Sequence, residues 1–183
     1  MSLKRLWAGW RMPYVAAATD TDAEGSPSGQ EASDHAPREG CVFCALWASD
    51  QPDQSTYVLW RGRQVFAVLN AYPYASGHLM VMPGRHVGEL EELTDEERSE
   101  LWRGVEEAVA ATKAAYRPDG LNLGANLGRA AGAGFPRHLH LHVVPRWSGD
   151  TNFMTSVAEA RVLPEALPDS WARLRDAWPD RLG

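Results

Sequence analysis

The chain is short of cysteine, of positive charge and of long apolar runs, and each shortage excludes something. Two cysteines in 183 residues are too few for a disulfide scaffold, and a chain of this length can bury a core without staples. No apolar run approaches the ~20 residues that a bilayer span requires. The opening residues, MSLKRLWAGWRMPY, hold no continuous apolar segment, so no secretory leader is expected and the expected location is cytoplasmic. Lys and Arg number 18 against 24 Asp and Glu, for a net charge of −6. That balance argues against a basic surface for nucleic acid, so neither nucleic acid nor membrane is an expected partner. A small anionic substrate stays open, because a site needs only local donors.

Histidine is scarce as well, with six in the chain, yet three of them fall within five residues. In HLHLHVVPRW, His138, His140 and His142 recur at a spacing of two. Alternation at that period marks a strand, and it sets the three rings ~6.6 Å apart on one face. Leu139, Leu141 and Val143 then face a core on the other side.

Composition shifts divide the chain into three parts. Residues 1–16, with Trp7 and Trp10, form an aromatic segment expected to dock. Residues 17–40 are acidic, small and rich in Ser, Gly and Pro, and are read as a flexible linker. Residues 41–183 carry the periodic patterns of one domain with a C-terminal extension. A short helix is expected at CVFCALW, and strands at TYVLW, QVFAVLN, GHLMVMP, GLNLGANLG and HLHLHVV. The spacing predicts a long helix from Thr94 to Tyr116. Thr94 and Glu97 form its capping box, and Leu101, Val105, Ala108, Thr112 and Ala115 its apolar face. A last helix is expected within PEALPDSWARLRDAW. The order predicts an α+β fold, an antiparallel meander sheet with the long helix and the C-terminal helix against it.

The histidine row admits two chemistries. Cys41 and Cys44 supply half of a tetrahedral metal site, which His86 and one member of the row can close. A redox CxxC is the rival reading, weakened by the lack of a surrounding βαβ pattern, and two unligated thiols are the plain one. The second chemistry is nucleophilic. A neutral imidazole can attack phosphorus and form a phosphoramidate, provided that its other nitrogen is oriented and the phosphoryl oxygens find donors. The loop GANLGRAAGAGFPR (124–137) just before the row has four glycines, whose backbone NH groups can turn toward phosphate, with Arg129 and Arg137 nearby.

The run His-Leu-His-Leu-His-Val-Val resembles the motif of the histidine triad (HIT) family, His-φ-His-φ-His-φ-φ with φ apolar. VLNAYPYASGHLMVMP and the CxxC support the resemblance, which runs from about Cys41 to Trp147. RLWAGWRM and PRWSGDTNFM are similar to its diadenosine tetraphosphate phosphorylase branch. The resemblance implies a HIT-like fold and a homodimer joined through the long helix and an edge strand. It implies nucleotidyl transfer, by phosphorolysis or hydrolysis of dinucleoside polyphosphates, through a covalent nucleotidyl-histidine. His140 would be the nucleophile. His142 and His78 would contact phosphate, Asn70 ribose, and Asn126, Ala133 and Gly134 the phosphates. His138 would join Cys41, Cys44 and His86 on a structural Zn2+, and Mg2+ would be a candidate companion of the nucleotide.

One departure stands out. Common family hydrolases carry Gly-Gln-Ser or Gly-Gln-Thr before the triad, whereas no Gln, Ser or Thr lies between Asn126 and His138. This is compatible with a transferase that takes phosphate as acceptor. A nucleotide hydrolase acting on phosphoramidates or dinucleoside polyphosphates is the nearest alternative. A noncatalytic nucleotide-binding regulator and a three-histidine zinc hydrolase remain further ones.

Overall fold

The computed structural model describes residues 40–150 and 165–179. The expected docking segment 1–16 and nearly all of the linker 17–40 lie outside the described residues. Five antiparallel strands form one sheet: β1 (Val58–Arg61), β2 (Val65–Leu69), β3 (Leu79–Pro83), β4 (Gly120–Gly124) and β5 (Leu141–Arg146). Their order is β1-β2-β3-β5-β4. The meander thus runs through the first three strands. The chain then passes through the long helix to the far edge as β4, and β5 fills the place between β3 and β4.

Every residue of β2 and β3 is buried, which is why both read as continuous apolar runs instead of alternating ones. Val65, Ala67, Leu69, Leu79 and Val81 join the larger core cluster. Phe66, Val68, Met80 and Met82 face the other way onto Phe43, so both faces of the central strands are covered. Helix α1 (Val42–Trp47) lies on this second face. A single-turn α2 (Asp53–Thr56) leads into β1.

Helix α3 (Asp95–Tyr116) begins at the expected capping box: Glu97 N–H donates to Thr94 Oγ1 at 3.1 Å, and Thr94 N–H to Glu97 Oε2 at 2.9 Å. Leu101, Val105, Ala108 and Thr112 are buried as expected, joined by Ala111. Gly104 lets the helix approach the sheet closely, since a Cβ there would lie 3.1 Å from both Trp60 and Val81. Helix α4 (Leu167–Ala177) seals the same side, with Leu174 fully buried and the Trp171 Nε1–H donating to the Val58 carbonyl at 2.7 Å. The amphipathic pattern therefore fixes where both helices lie.

The inner face of α3 also carries three buried carboxylates. Glu97 takes a bidentate pair from Arg85, both contacts at 2.8 Å. Glu100 accepts the backbone N–H groups of Arg63 and Gln64 at 2.7 and 2.8 Å, fastening the β1–β2 turn. Glu107 accepts from Trp178 Nε1 at 3.4 Å. Each buried acid has its donor, as burial of a carboxylate demands.

Candidate functional site

The histidine row starts before its strand does. Expected as part of one strand, His138 and His140 precede the ladder, and of the three only His142 lies within β5. β3 pairs β5 from Leu79↔Val143 to Val81↔Leu141 and no further. The reason lies at Pro83. This residue has no N–H to offer, and its carbonyl accepts the His138 ring instead, Nε2 to O at 2.9 Å. Leu139 N–H turns to the Val87 carbonyl at 2.6 Å. The chain is pulled out of the sheet toward the cysteines. β4 likewise ends at Gly124, where the expected strand had continued to Gly128, and the glycine-rich stretch beyond it is a loop.

At that point four side chains converge. Cys41, Cys44, His86 and His138 offer ligand atoms that all lie within 4.8 Å of one another. Cys41 Sγ is 3.4 Å from His138 Nδ1, Cys44 Sγ is 3.7 Å from the same nitrogen, and Cys44 Sγ is 3.3 Å from His86 Nδ1. Zn–S and Zn–N bonds at a tetrahedral angle would separate sulfur from nitrogen by about 3.5 Å, so the donor set fits a four-coordinate ion. The tautomer fits too. His138 uses Nε2–H on the Pro83 carbonyl, which leaves the Nδ1 lone pair for a metal. Burial lowers the His138 pKa to about 4, against the opposing pull of the Pro83 hydrogen bond and with further lowering from His86 and His140. The ring is neutral, as a ligand must be. Helix α1 brings the cysteines here, with Cys41 as its N-cap.

The same logic runs through the other histidines. His140 Nδ1 lies 2.8 Å from the His138 carbonyl, so Nδ1 carries the proton and Nε2 keeps its lone pair. Burial lowers the His140 pKa against that hydrogen bond, and its ring is neutral at pH 7. His78 Nδ1 accepts the Tyr74 backbone N–H at 3.0 Å. His78 therefore donates through Nε2 to His142 Nδ1, also at 3.0 Å, and the neutral His142 ring holds its proton on Nε2. The rings of His140 and His142 stand 5.0 Å apart at 79°. A lone pair and an N–H donor are thus side by side, a combination suited to attack on phosphorus with a donor for a phosphoryl oxygen.

His78, expected at the phosphate, is fully buried and sits behind His142, holding its ring. Gly77, at φ 77°, turns the chain into it and leaves room for the Tyr116 ring. Asn70 closes the other end of the same loop. Its backbone N–H donates to the His78 carbonyl at 3.0 Å, and its Oδ1 accepts Tyr72 N–H at 2.9 Å. Asn126, Ala133 and Gly134 lie half-buried along the loop between β4 and His138. The structure thus brings together the four metal candidates in one cluster and His78, His140, His142 and Asn70 in a second beside it.

Three participants escaped the sequence reading. The Pro83 carbonyl and the Tyr74 amide are backbone groups that no side-chain pattern announces. Phe43 lies within CVFC, and its ring meets both His138 and His140, at 5.3 and 5.2 Å. Its position between two metal candidates was the available signal.

A family model described as the HIT domain matches residues 51–149. The chain is 42% identical over 177 residues to the AP-4-A phosphorylase of Mycobacterium tuberculosis, a match covering 96% of this chain and 85% of that protein. It is 31% identical over 115 residues to the protein hit of Bacillus subtilis, covering 63% and 77%. Among solved structures, a Zn-bound histidine triad family protein from Mycobacterium smegmatis superposes with a TM-score of 0.61 at 29% identity. That match covers 75% of this chain and 92% of that one. With the domain match running over half the chain and from just before β1 through the triad, this chain belongs to the HIT family and is similar to its AP-4-A phosphorylase branch.

Proposed function

We propose that the protein cleaves dinucleoside polyphosphates by nucleotidyl transfer through His140, with inorganic phosphate as the second acceptor. The observation that carries this reading is the hydrogen bond from His140 Nδ1–H to the His138 carbonyl, which presents a neutral Nε2 lone pair. In the first step Nε2 attacks the phosphorus next to one nucleoside. A nitrogen–phosphorus bond forms, the bond to the bridging oxygen breaks, and a nucleoside polyphosphate leaves. In the second step a phosphate oxygen attacks the same phosphorus and His140 departs with its lone pair. Diadenosine tetraphosphate would give ATP and ADP. His142 Nε2–H would donate to a phosphoryl oxygen and His78 would hold it there. Asn70 would meet the ribose, and the loop with Asn126, Ala133 and Gly134 would receive the phosphates. Mg2+ would enter with the polyphosphate.

A structural zinc on Cys41, Cys44, His86 and His138 would supply rigidity, because all four positions of a tetrahedral ion are used and none remains for substrate. The rest is done by the chain. His138 hands its carbonyl to the nucleophile, so its placement is also that of His140. The AP-4-A phosphorylase relative and the loop without Gln, Ser or Thr favour phosphate over water as acceptor. A homodimer, made through β4 and α3, completes the proposal.

A product assay on diadenosine tetraphosphate tests it. ATP plus ADP is expected, and only when phosphate is present. AMP plus ATP, or two ADP, formed without phosphate would make the enzyme a hydrolase. Nucleotide binding with no turnover under either condition would make it a regulator.

A further inference from the structure

A loop with little side chain of its own needs an anchor to keep one shape. Residues 124–137 contain four glycines and a single aromatic residue, Phe135. Gly128 and Gly132 stand at φ 73° and 86°, where a Cβ would meet nothing within 4 Å. These glycines serve backbone conformation, not close packing, and such backbone has the most freedom to lose on ordering.

Phe135 supplies a fixed point. Its ring meets Phe43 edge-on, with centroids 5.0 Å apart at 63°, the geometry that aromatic quadrupoles favour. Phe43 is buried, lies between the two cysteines, and also touches the rings of His138 and His140. On the backbone, the Phe135 carbonyl accepts the His138 N–H at 3.3 Å. Just beyond, Pro136 and Arg137 press on Gly88, where a Cβ would lie 3.3 Å from both. The segment is therefore tied at its end to the chain around the metal candidates. Phe135 nonetheless remains 38% exposed, more than core packing alone would leave, and its contact is with a ring that also borders His140.

We propose that Phe135 is a positioning residue: its ring latches the glycine-rich loop onto Phe43 beside His140 and so sets how well the loop receives the substrate's phosphates. This rests on the reading of the loop as the phosphate-binding segment. The latch acts on the loop and not on the tautomer of His140, which the His138 carbonyl holds. Its loss should therefore weaken substrate binding more than chemistry.

The test compares Phe135→Ala and Phe135→Tyr with the parent protein, metal bound, in two measurements. Amide hydrogen exchange of residues 128–134 without nucleotide should run about tenfold faster in Phe135→Ala, the size of a lost aromatic pair, while β5 and α3 stay as they were. With diadenosine tetraphosphate and phosphate, KM should rise by a similar factor and kcat should change less than about threefold. Phe135→Tyr, which keeps the ring, should restore both. Unchanged loop exchange in the alanine variant would overturn the proposal. So would a fall in kcat with KM constant, or a failure of tyrosine to rescue. If the alanine variant does not fold, Phe135→Leu, which keeps apolar bulk without the edge-on contact, takes its place. If the parent protein cleaves no dinucleoside polyphosphate, the proposed function fails by itself, and the exchange measurement still decides the latch.

Discussion

The tautomer and charge of His140 are set by one neighbour and by burial, not by its own ring. The His138 carbonyl fixes the proton on Nδ1, and burial keeps the ring uncharged. His138 shares these conditions, but its free nitrogen faces the cysteines, and His142 accepts from His78 through Nδ1. Replacing His140 by Asn should lower turnover by a factor of about a thousand or more, as loss of a covalent nucleophile does. Nucleotide affinity, read by titration calorimetry, should survive. Wild type quenched early with labelled nucleotide should yield an acid-labile, base-stable adduct at this position. Near wild-type turnover in His140→Asn would end the mechanism. His138 provides a second prediction at this scale. Its pKa is lowered from 6.5 to about 4, so the unfolded chain binds the proton that the folded one refuses. With metal chelated, stability should be level above pH 6.5 and fall as the pH drops from there toward 4, by on the order of 3 kcal/mol in all. Thermal unfolding at pH 7, 5.5 and 4.5 measures it, and a flat profile would contradict the buried neutral ring.

Among the elements, α1 and α3 do more than cover the sheet. Helix α1 delivers Cys41 and Cys44 to the point where β3 ends at Pro83. A zinc there would stabilise the fold, since its ligands come from three segments far apart in sequence. Cys41→Ala should lower the melting temperature, and native mass spectrometry of the parent should show one zinc per chain. A metal-free parent of unchanged stability would exclude the structural role. Helix α3 ties the β1–β2 turn through Glu100, which is 6% exposed and receives two backbone N–H groups. Glu100→Ala removes the acceptor from both and should cost about 1 to 3 kcal/mol in urea unfolding. A loss below about 0.5 kcal/mol would mean that water replaces the carboxylate without penalty. The helix itself was legible from its capping box and its 3.6-residue apolar stripe. The inward turn of Glu97, Glu100 and Glu107 was not, because their partners Arg85, Arg63, Gln64 and Trp178 are distant in sequence.

On the scale of the whole molecule, the sheet is closed by α1 on one side and by α3 and α4 on the other, but its two ends differ. Among the described residues β4 pairs only with β5, and its Leu123 is 52% exposed. Trp102 on α3 is 55% exposed. An edge strand with an apolar residue outward is a liability that a second copy would remove. Sedimentation at micromolar concentration should therefore give twice the 20.2 kDa chain mass, and Leu123→Lys should shift the population toward the single chain. A parent protein that sediments as one chain would refute the dimer.

The sequence by itself determined which segments become helix and strand, because capping pairs and apolar periods act between residues a few positions apart. It also determined the chemistry on offer, since three histidines at a spacing of two and a CxxC have few common uses. The tertiary structure decided how that chemistry is divided. His138 leaves the row because Pro83 ends the ladder and lends its carbonyl, His78 stands behind His142 because the Tyr74 amide takes its other nitrogen, and the Phe43 ring packs against both His138 and His140. Each of these depends on a backbone group or ring brought across 40 residues or more, or on a turn whose amide has no side chain to announce it. Local patterns carry no record of such partners, so the neighbours that fix the tautomer of each histidine were decided only by the folded chain.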